Sequence, residues 1–320
     1  MNATLQRKLP QLATAAVLVA IALGASRMYE GFLSLRVLTN ILTDNAALGI
    51  ASIGMTLVIF SGGIDLSVGA VAGFSSILTV TLIEQHGMHP LLAALVSLGI
   101  CTAWGLVTGY IVHAFNQPAF LITLAGMFLM RGCAYWITTE AVGLNNPMMT
   151  SLAGWELPLG STFGLPFSAA TLLVVMIFGL ILGHYTRFGR NLIAIGGSEQ
   201  SALLMGLPIG ATRIASYGLS GFCAALAGLV LVLYTGSGNP SFGLGLELDA
   251  IAVVVIGGTL LIGGRGHIVG TILGLLVFGT IQSAIIFDGR LSSQWSRIVV
   301  GALLLAFVLL QRILVKRLKG

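Results

Sequence analysis

Ser61-Gly62-Gly63-Ile64-Asp65-Leu66-Ser67-Val68-Gly69 lies between two apolar runs with almost no linker on either side. An ionisable aspartate at the edge of such runs is costly at membrane depth and reads first as functional. Backbone groups freed by paired glycines are tolerated there only where protein or a water-filled cavity satisfies them. A second reading stands beside it: Asp65 caps the helix that follows, since aspartate is a favoured N-cap. The two readings are compatible. Either way the stretch marks a break between membrane segments.

The rest of the chain agrees. Of its 320 residues, 57% are hydrophobic and only 8% are charged, against about a quarter charged in ordinary soluble domains. Water does not disperse such a surface, whereas a bilayer does. No polar stretch is long enough for a soluble domain, so residues 1–320 read as one membrane domain. The net charge of +5 comes with no basic groove or interleaved aromatics, which argues against nucleic acid. Cys101, Cys133 and Cys223 are scattered through apolar runs and read as small core residues.

A span needs roughly 20 apolar residues. About ten runs approach that length, near 11–27, 45–61, 66–83, 91–113, 119–137, 167–185, 214–234, 248–262, 268–287 and 296–314. The first resembles a signal peptide ending near Gly24-Ala25-Ser26, but an uncleaved span is preferred because the topology needs it. The expected fold is therefore all-α, a polytopic integral membrane protein with about ten transmembrane helices. The second and third runs almost touch, and the eighth is short and glycine-rich, so these are where a broken or re-entrant segment is expected. Placing Arg7 and Lys8 in the cytoplasm brings Arg187, Arg190, Arg213, Arg265 and the C-terminal Arg312, Lys316, Arg317 and Lys319 to the same side. The long stretch 138–166 has Glu140 and Glu156 but no lysine or arginine. The expected location is thus a bacterial inner membrane, multi-pass, with both termini cytoplasmic. Glycines such as Gly105, Gly109, Gly218, Gly221 and Gly228 read as points of close helix approach.

Two more segments interrupt the apolar pattern. Residues 187–208 are too polar to span. Within them 198–205 reads as a short amphipathic helix, capped by Ser198, with Glu199 in its first turn and Gly206 and Pro208 stopping it. Such a helix suits docking to a soluble partner, or it rests on lipid headgroups. Gly196-Gly197 are expected to let the chain turn sharply into it, with Ala202, Leu203 and Met205 packing on the partner and Glu199 pairing with a basic residue there. The other segment is Gly245-Leu246-Glu247-Leu248-Asp249-Ala250 running to Gly257-Gly258 and Gly263-Gly264. Its carboxylates read as helix caps at the outer entrance of a span rather than as a hydrolase pair. Gly263-Gly264 with Val269-Gly270 echoes Gly62-Gly63 with Val68-Gly69 at the same spacing, a hint of the internal repeats common in transporters.

Other chemistry is missing from the sequence. No glycine-rich loop ends in Lys-Ser/Thr, so any ATP hydrolysis belongs to a partner. His86 and His89 have no evident third ligand, so no metal site is expected. No cofactor and no catalytic constellation are indicated. Arg131, inside the fifth run, has to face protein or water.

Taken in order, the three segments resemble the ribose-type sugar-import permeases of the ATP-binding-cassette class. The resemblance is carried by Gly62 to Gly69; by Gly189-Arg190 through Ala194-Ile195-Gly196-Gly197-Ser198-Glu199 to Gly206; and by Glu247-Leu248-Asp249-Ala250-Ile251-Ala252 with Val255-Ile256-Gly257-Gly258-Thr259 and Gly263-Gly264. It covers nearly the whole chain. Ser198 departs from the usual asparagine, and serine caps equally well. Asn40 to Ala46, Pro118 to Phe128, Phe287-Asp288-Gly289 and Leu291-Ser292-Ser293 are similar to the galactofuranose-importer branch of that family.

The resemblance implies a transport subunit without a nucleotide site. Its implied partners are a cytoplasmic ATPase with two fused nucleotide-binding domains, a periplasmic sugar-binding protein, a second and non-identical permease subunit, and membrane lipid. On this reading Asn40, Asp44, Asn45, Asp65 and Ser67 line or gate the sugar path. Gly189, Arg190, Gly196, Gly197, Glu199, Ala202 and Gly206 couple it to the ATPase. The alternative is a secondary transporter driven by an ion gradient. Such a protein usually carries several intramembrane carboxylates or histidines, and here only Asp65 qualifies clearly.

Overall fold

The architecture comes from a computed structural model, which describes residues 3–158, 164–289, 295, 298–302 and 304–306, with side chains from residue 11 onward. In chain order the helices are α1 (Ala3–Met28), α2 (Leu35–Asp44), α3 (Ala46–Phe60), α4 (Val68–Glu84), α5 (Pro90–Ala114), α6 (Ala119–Ile137), α7 (Pro147–Ala153), α8 (Phe167–Leu180), α9 (Arg187–Gly197), α10 (Glu199–Leu204), α11 (Ile209–Thr235), α12 (Leu246–Ile256) and α13 (Ile268–Asp288). A π-helical turn, Ile181–Tyr185, prolongs α8. Four short strands, β1 (Val142–Gly143), β2 (Glu156–Pro158), β3 (Gly164–Pro166) and β4 (Ser237–Gly238), form two antiparallel pairs, β1 with β4 and β2 with β3. They tie down the ends of loops and leave the fold mostly helical.

The polytopic helical class holds, and the span count among the described residues differs from ten. Among the described residues, six helices are long and apolar enough to cross a membrane: α1, α5, α6, α8 with its π turn, α11 and α13. The pair α2 and α3, bent by 61° at Asn45, makes a seventh if the two count as one span. The second run is α3, the longer arm of that bent pair. The third run is α4, 17 residues long, which at 1.5 Å per residue extends about 25 Å. The eighth run is α12, 11 residues or about 16 Å, too short for a hydrocarbon core of about 30 Å. Hydropathy alone reads the eighth run as a span because the turn that ends it, residues 257–264, is itself largely apolar and glycine-rich. The tenth run, 296–314, and the basic C-terminus lie largely outside the described residues.

Helix α11 is the axis of the bundle, packed by α5, α3 and α4. The approach to α5 is close because small residues face each other. A Cβ on Gly105 would strike the Tyr217 carbonyl oxygen, and one on Gly221 would strike the Cys101 carbonyl oxygen. Helix α3 is buried along its whole length. Helix α1 lies on α13, and its buried Thr14 hydroxyl donates to the Ile256 carbonyl at the end of α12 at 2.6 Å.

Candidate functional site

Helix α4 starts inside the bundle. After Phe60 the chain turns at Gly62, whose φ is +82°, and folds back through Ile64 and Asp65. The carboxylate of Asp65 is 2% exposed. Its Oδ1 accepts from the Ser67 backbone N–H at 3.0 Å and the Ser67 hydroxyl at 2.6 Å. Its Oδ2 accepts from the Ser220 hydroxyl of α11 at 2.7 Å. The cap reading is corrected: Ser67 is the N-cap of α4, without a side-chain cap bond, and Asp65 instead holds that residue and ties it to α11. Ser220 lies about 16 Å along α11 from Ile209, near the middle of a helix about 40 Å long.

The loop before α12 enters from the opposite end and lies along α4. Gly238 sits against Ser76 and Val80. The Ser76 hydroxyl donates to the Asn239 carbonyl at 3.1 Å. One turn further down α4, a Cβ on Gly73 would meet the Phe242 oxygen at 2.6 Å and Arg131 Nη1 at 2.7 Å. At Gly69 it would strike the Gly243 oxygen and Glu247 Oε2. Helix α4 thus presents Gly69, Gly73 and Ser76 on one face, at helical spacing, as a seat for residues 238–247. The N-termini of α4 and α12 meet at membrane depth, and each has carboxylates where the helix dipole favours them: Asp65 at one, Glu247 and Asp249 at the other. The sequence reading of Glu247 and Asp249 at an outer entrance is corrected: they belong to a junction within the bundle.

Arg131 of α6 braces this junction. Its Nη1 donates to the carbonyls of Pro240 at 2.5 Å and Phe242 at 2.7 Å. Tyr135, one turn along α6, has its hydroxyl 2.8 Å from the Ser241 hydroxyl. Among the described residues, Glu247 Oε2 is buried without a hydrogen-bond partner. Arg131, Tyr135 and Glu247 were not among the expected pathway residues, although an arginine within an apolar run was the available signal.

The five expected pathway residues do not form one site. Asp65 and Ser67 are together. Asn45 lies about 13 Å along α3 from Gly54, the residue that packs on Ser220; it is buried and its Nδ2 donates to the Ile41 carbonyl at 3.0 Å. Asp44 accepts from the Tyr234 hydroxyl at 2.9 Å. Asn40 is exposed on α2. These three mark the bend between α2 and α3.

At the other end, the three glycine motifs meet. The Gly264 N–H donates to the Phe60 carbonyl at 3.1 Å. A Cβ on Gly196 would strike that same oxygen and the Gly264 nitrogen, and one on Gly263 would meet Gly62 N at 2.6 Å and Gly196 Cα at 3.1 Å. Residues 187–197, expected as a loop, are helix α9, capped by Thr186. Gly196 and Gly197 form its last turn, so Gly196 serves close approach rather than a sharp turn into the next helix. Gly189 likewise lies against the Gly183 carbonyl, and Arg190 is exposed on α9.

Helix α10 follows as expected. Ser198 accepts from the Ser201 N–H at 3.2 Å, and Gly206 ends the helix with φ +72°. Its packing is corrected on two points. Ala202 is 0% exposed and packs within the chain against Ile195 and Ile209. Glu199 pairs with Arg213 of α11 at 2.7 Å. The apolar residues left open are Leu203, Leu204 and Met205, with Leu204 89% exposed. Next to this end, the His184 and His267 rings stack with centroids 3.6 Å apart. His89, far from them, caps α5 by accepting from the Leu91 N–H.

Comparison with known proteins gives the family. Residues 37–308 match the family described as branched-chain amino acid transport system / permease component. The chain is 46% identical to the inner membrane ABC transporter permease protein YjfF of Escherichia coli (strain K12) over 96% of this chain and 93% of that protein. It is 34% identical to the fructose import permease protein FruG of Bifidobacterium longum over 96% of this chain and 92% of the relative. It is 36% identical to the ribose import permease protein RbsC of Escherichia coli (strain K12) over 92% of this chain and 91% of the relative. With its helical polytopic fold and these matches over most of its length, the chain belongs to the branched-chain amino acid transport system / permease component family.

Proposed function

We propose that the chain is the membrane-spanning permease subunit of an ATP-binding-cassette importer that carries a monosaccharide, galactofuranose or a similar sugar, from periplasm to cytoplasm. The end with α9 and α10 faces the cytoplasm, as the arginines at 187, 190, 213 and 265 favour. A cytoplasmic ATPase docks there, a periplasmic binding protein delivers sugar at the other end, and the sugar passes between this chain and a second, non-identical permease subunit. The substrate reading draws on the fructose and ribose import permeases to which the chain is similar.

The observation that carries the proposal is the glycine contact. Helix α9 touches both inner turns through backbone atoms, at Phe60 and at Gly264. A push on α10 therefore reaches, through α9, the end of α3 and the turn between α12 and α13 without flexible side chains between. From there the turn at 62–65 and α12 lead to the junction, where access to the sugar path would change.

The docking surface is the open edge Leu203, Leu204 and Met205. Leu204→Asp should release the ATPase from membranes and abolish sugar-stimulated ATP hydrolysis, while the permease melts within a few degrees of wild type. A larger apolar side chain buried at an interface is worth roughly 1.5–3 kcal/mol, enough for a tenfold to hundredfold loss of affinity. Glu199→Ala should be mild, because an exposed pair contributes about 0–1 kcal/mol. Inside-out vesicles should capture the ATPase and right-side-out vesicles should not. Normal capture by Leu204→Asp, or capture by right-side-out vesicles, would refute the docking assignment or the orientation respectively.

A further inference from the structure

Arg131 reaches the wrong way for an arginine that merely tolerates a membrane. A lipid-exposed arginine extends toward the nearer interface. Arg131 sits about 9 Å from the Ile137 end of α6, yet its guanidinium lies against Gly73, about 16 Å along α4 from Glu84 and about 8 Å from Val68. It therefore points into the bundle, toward the meeting of α4 and α12. Both of its hydrogen bonds leave from Nη1. Among the described residues Nε and Nη2 make none, and the side chain is only partly buried.

The surroundings define what such donors can bind. Glu247 stands one helical turn away along the same α4 face, at Gly69, and Asp249 follows it in the first turn of α12, so carboxylates already stand at the junction with the guanidinium and a neutral ligand is favoured over an anion. Tyr135 follows Arg131 by four residues, on the same side of α6. Its hydroxyl is occupied by Ser241 while the residue remains 39% exposed, which leaves an aromatic surface beside the guanidinium. Free N–H donors, nearby carbonyl and hydroxyl oxygens, and an open aromatic ring together suit a neutral polyol with one apolar face. Lipid does not satisfy the free N–H donors.

We propose that Arg131 is a sugar-contacting residue of the transport path, donating from Nε and Nη2 to a ring hydroxyl as the sugar passes the junction, with the Tyr135 ring as its platform. This assignment rests on reading the chain as a sugar permease. The brace from Nη1 to Pro240 and Phe242 holds the guanidinium in place for that contact.

A cycle of variant and analogue separates contact from brace. Vesicles containing the complete importer are assayed for uptake of ribose, fructose and galactofuranose at saturating binding protein, and then with monodeoxy derivatives of the sugar carried. The binding protein is the same in every arm, so its own preference cancels. For wild type, one deoxy derivative should be taken up about tenfold more slowly than the parent, the size of a lost charge-assisted hydrogen bond. For Arg131→Gln that penalty should vanish, while the other derivatives keep their ratios. Arg131→Lys retains the charge and a donor to one carbonyl, so it should fold and show a reduced penalty. Melting temperature in detergent is followed alongside. If Arg131→Lys and Arg131→Gln slow the parent and every derivative by the same factor, Arg131 is a brace only and the proposal fails. If the wild-type complex takes up none of the sugars, the permease reading fails and this assignment with it.

Discussion

Gly62-Gly63 and Gly263-Gly264 stand the same distance ahead of a Val-Gly pair, yet one turn feeds a helix that begins inside the bundle and the other a helix that begins at its end. The backbone geometry is shared at the first glycine, with φ +82° at Gly62 and +83° at Gly263, and differs at the second, where Gly264 is left-handed at +73° and Gly63 is not. Each later glycine admits another backbone, Gly243 at Gly69 and Gly257 at Gly270. The side chains differ. The first turn carries Asp65, buried between Ser67 and Ser220. At the matching place the second has Gly266, where a Cβ would meet the Phe60 ring at 2.5 Å. The likeness between the turns is thus one of close backbone approach, while the polar equipment belongs to the turn that enters the membrane.

The sharpest way to break the comparison is one substitution made in both turns. Each variant pays about 1–2 kcal/mol for a left-handed residue other than glycine. At Gly62 the new methyl meets the Ile262 oxygen at 3.3 Å and Gly196 Cα at 4.0 Å, so Gly62→Ala should cost little beyond that. At Gly263 it meets Gly62 N at 2.6 Å and Cα at 2.8 Å, and overpacking adds about 1–3 kcal/mol. Gly263→Ala should therefore melt well below Gly62→Ala in detergent and lose uptake. Equal melting temperatures would show that the turns are not packed this way.

The next effect isolates the carboxylate that only the first turn has. Asp65→Ala leaves the Ser67 and Ser220 hydroxyls without their acceptor, at a cost of about 1–3 kcal/mol. Asp65→Asn keeps an oxygen for Ser67 and should recover most of that stability. If uptake recovers with it, Asp65 acts through the fold; if stability returns and uptake does not, its charge takes part in transport.

The smallest effect concerns the link between the helix entering the first turn and the helix leaving the second. The Thr56 and Thr271 hydroxyls are 2.8 Å apart, joining α3 to α13. Interhelical hydrogen bonds in membranes average about 0.6 kcal/mol. Thr56→Val should lower stability by about that much and leave uptake near wild type. A loss of several kcal/mol, read from the melting curve, would mean that α3 and α13 depend on this link far more than their packing suggests.

Much of this was readable in the sequence. Apolar composition gave the membrane class, the glycine pairs marked where helices end, and Ser198 and Gly206 bounded α10. The depth of residues 238–247 was not readable. Asn239, Pro240, Ser241, Gly243 and Gly245 have the composition of an exposed loop, and what draws them inward is a face of α4 more than 160 positions earlier. Helix α9 was missed because Gly189, Gly196 and Gly197 lower local helix propensity, while two of them are needed for contacts that only the folded chain makes. Ala202 was assigned to a partner because its burial by Ile195 and Ile209 depends on α10 folding back between two other helices.

The seat for residues 238–247 also bears on how the chain is made. The carbonyls of Asn239, Pro240 and Phe242 are held by Ser76 and Arg131, and in hydrocarbon each would cost several kcal/mol unheld. Both holding residues are synthesised before the segment they hold. Vectorial synthesis therefore delivers this stretch to a seat already in the bilayer, and the order of the chain acts as its own insertion schedule. A circular permutant opened in the loop after Ile137 would reverse that schedule, making 238–247 before α4 and α6 exist and stranding its carbonyls at the translocon.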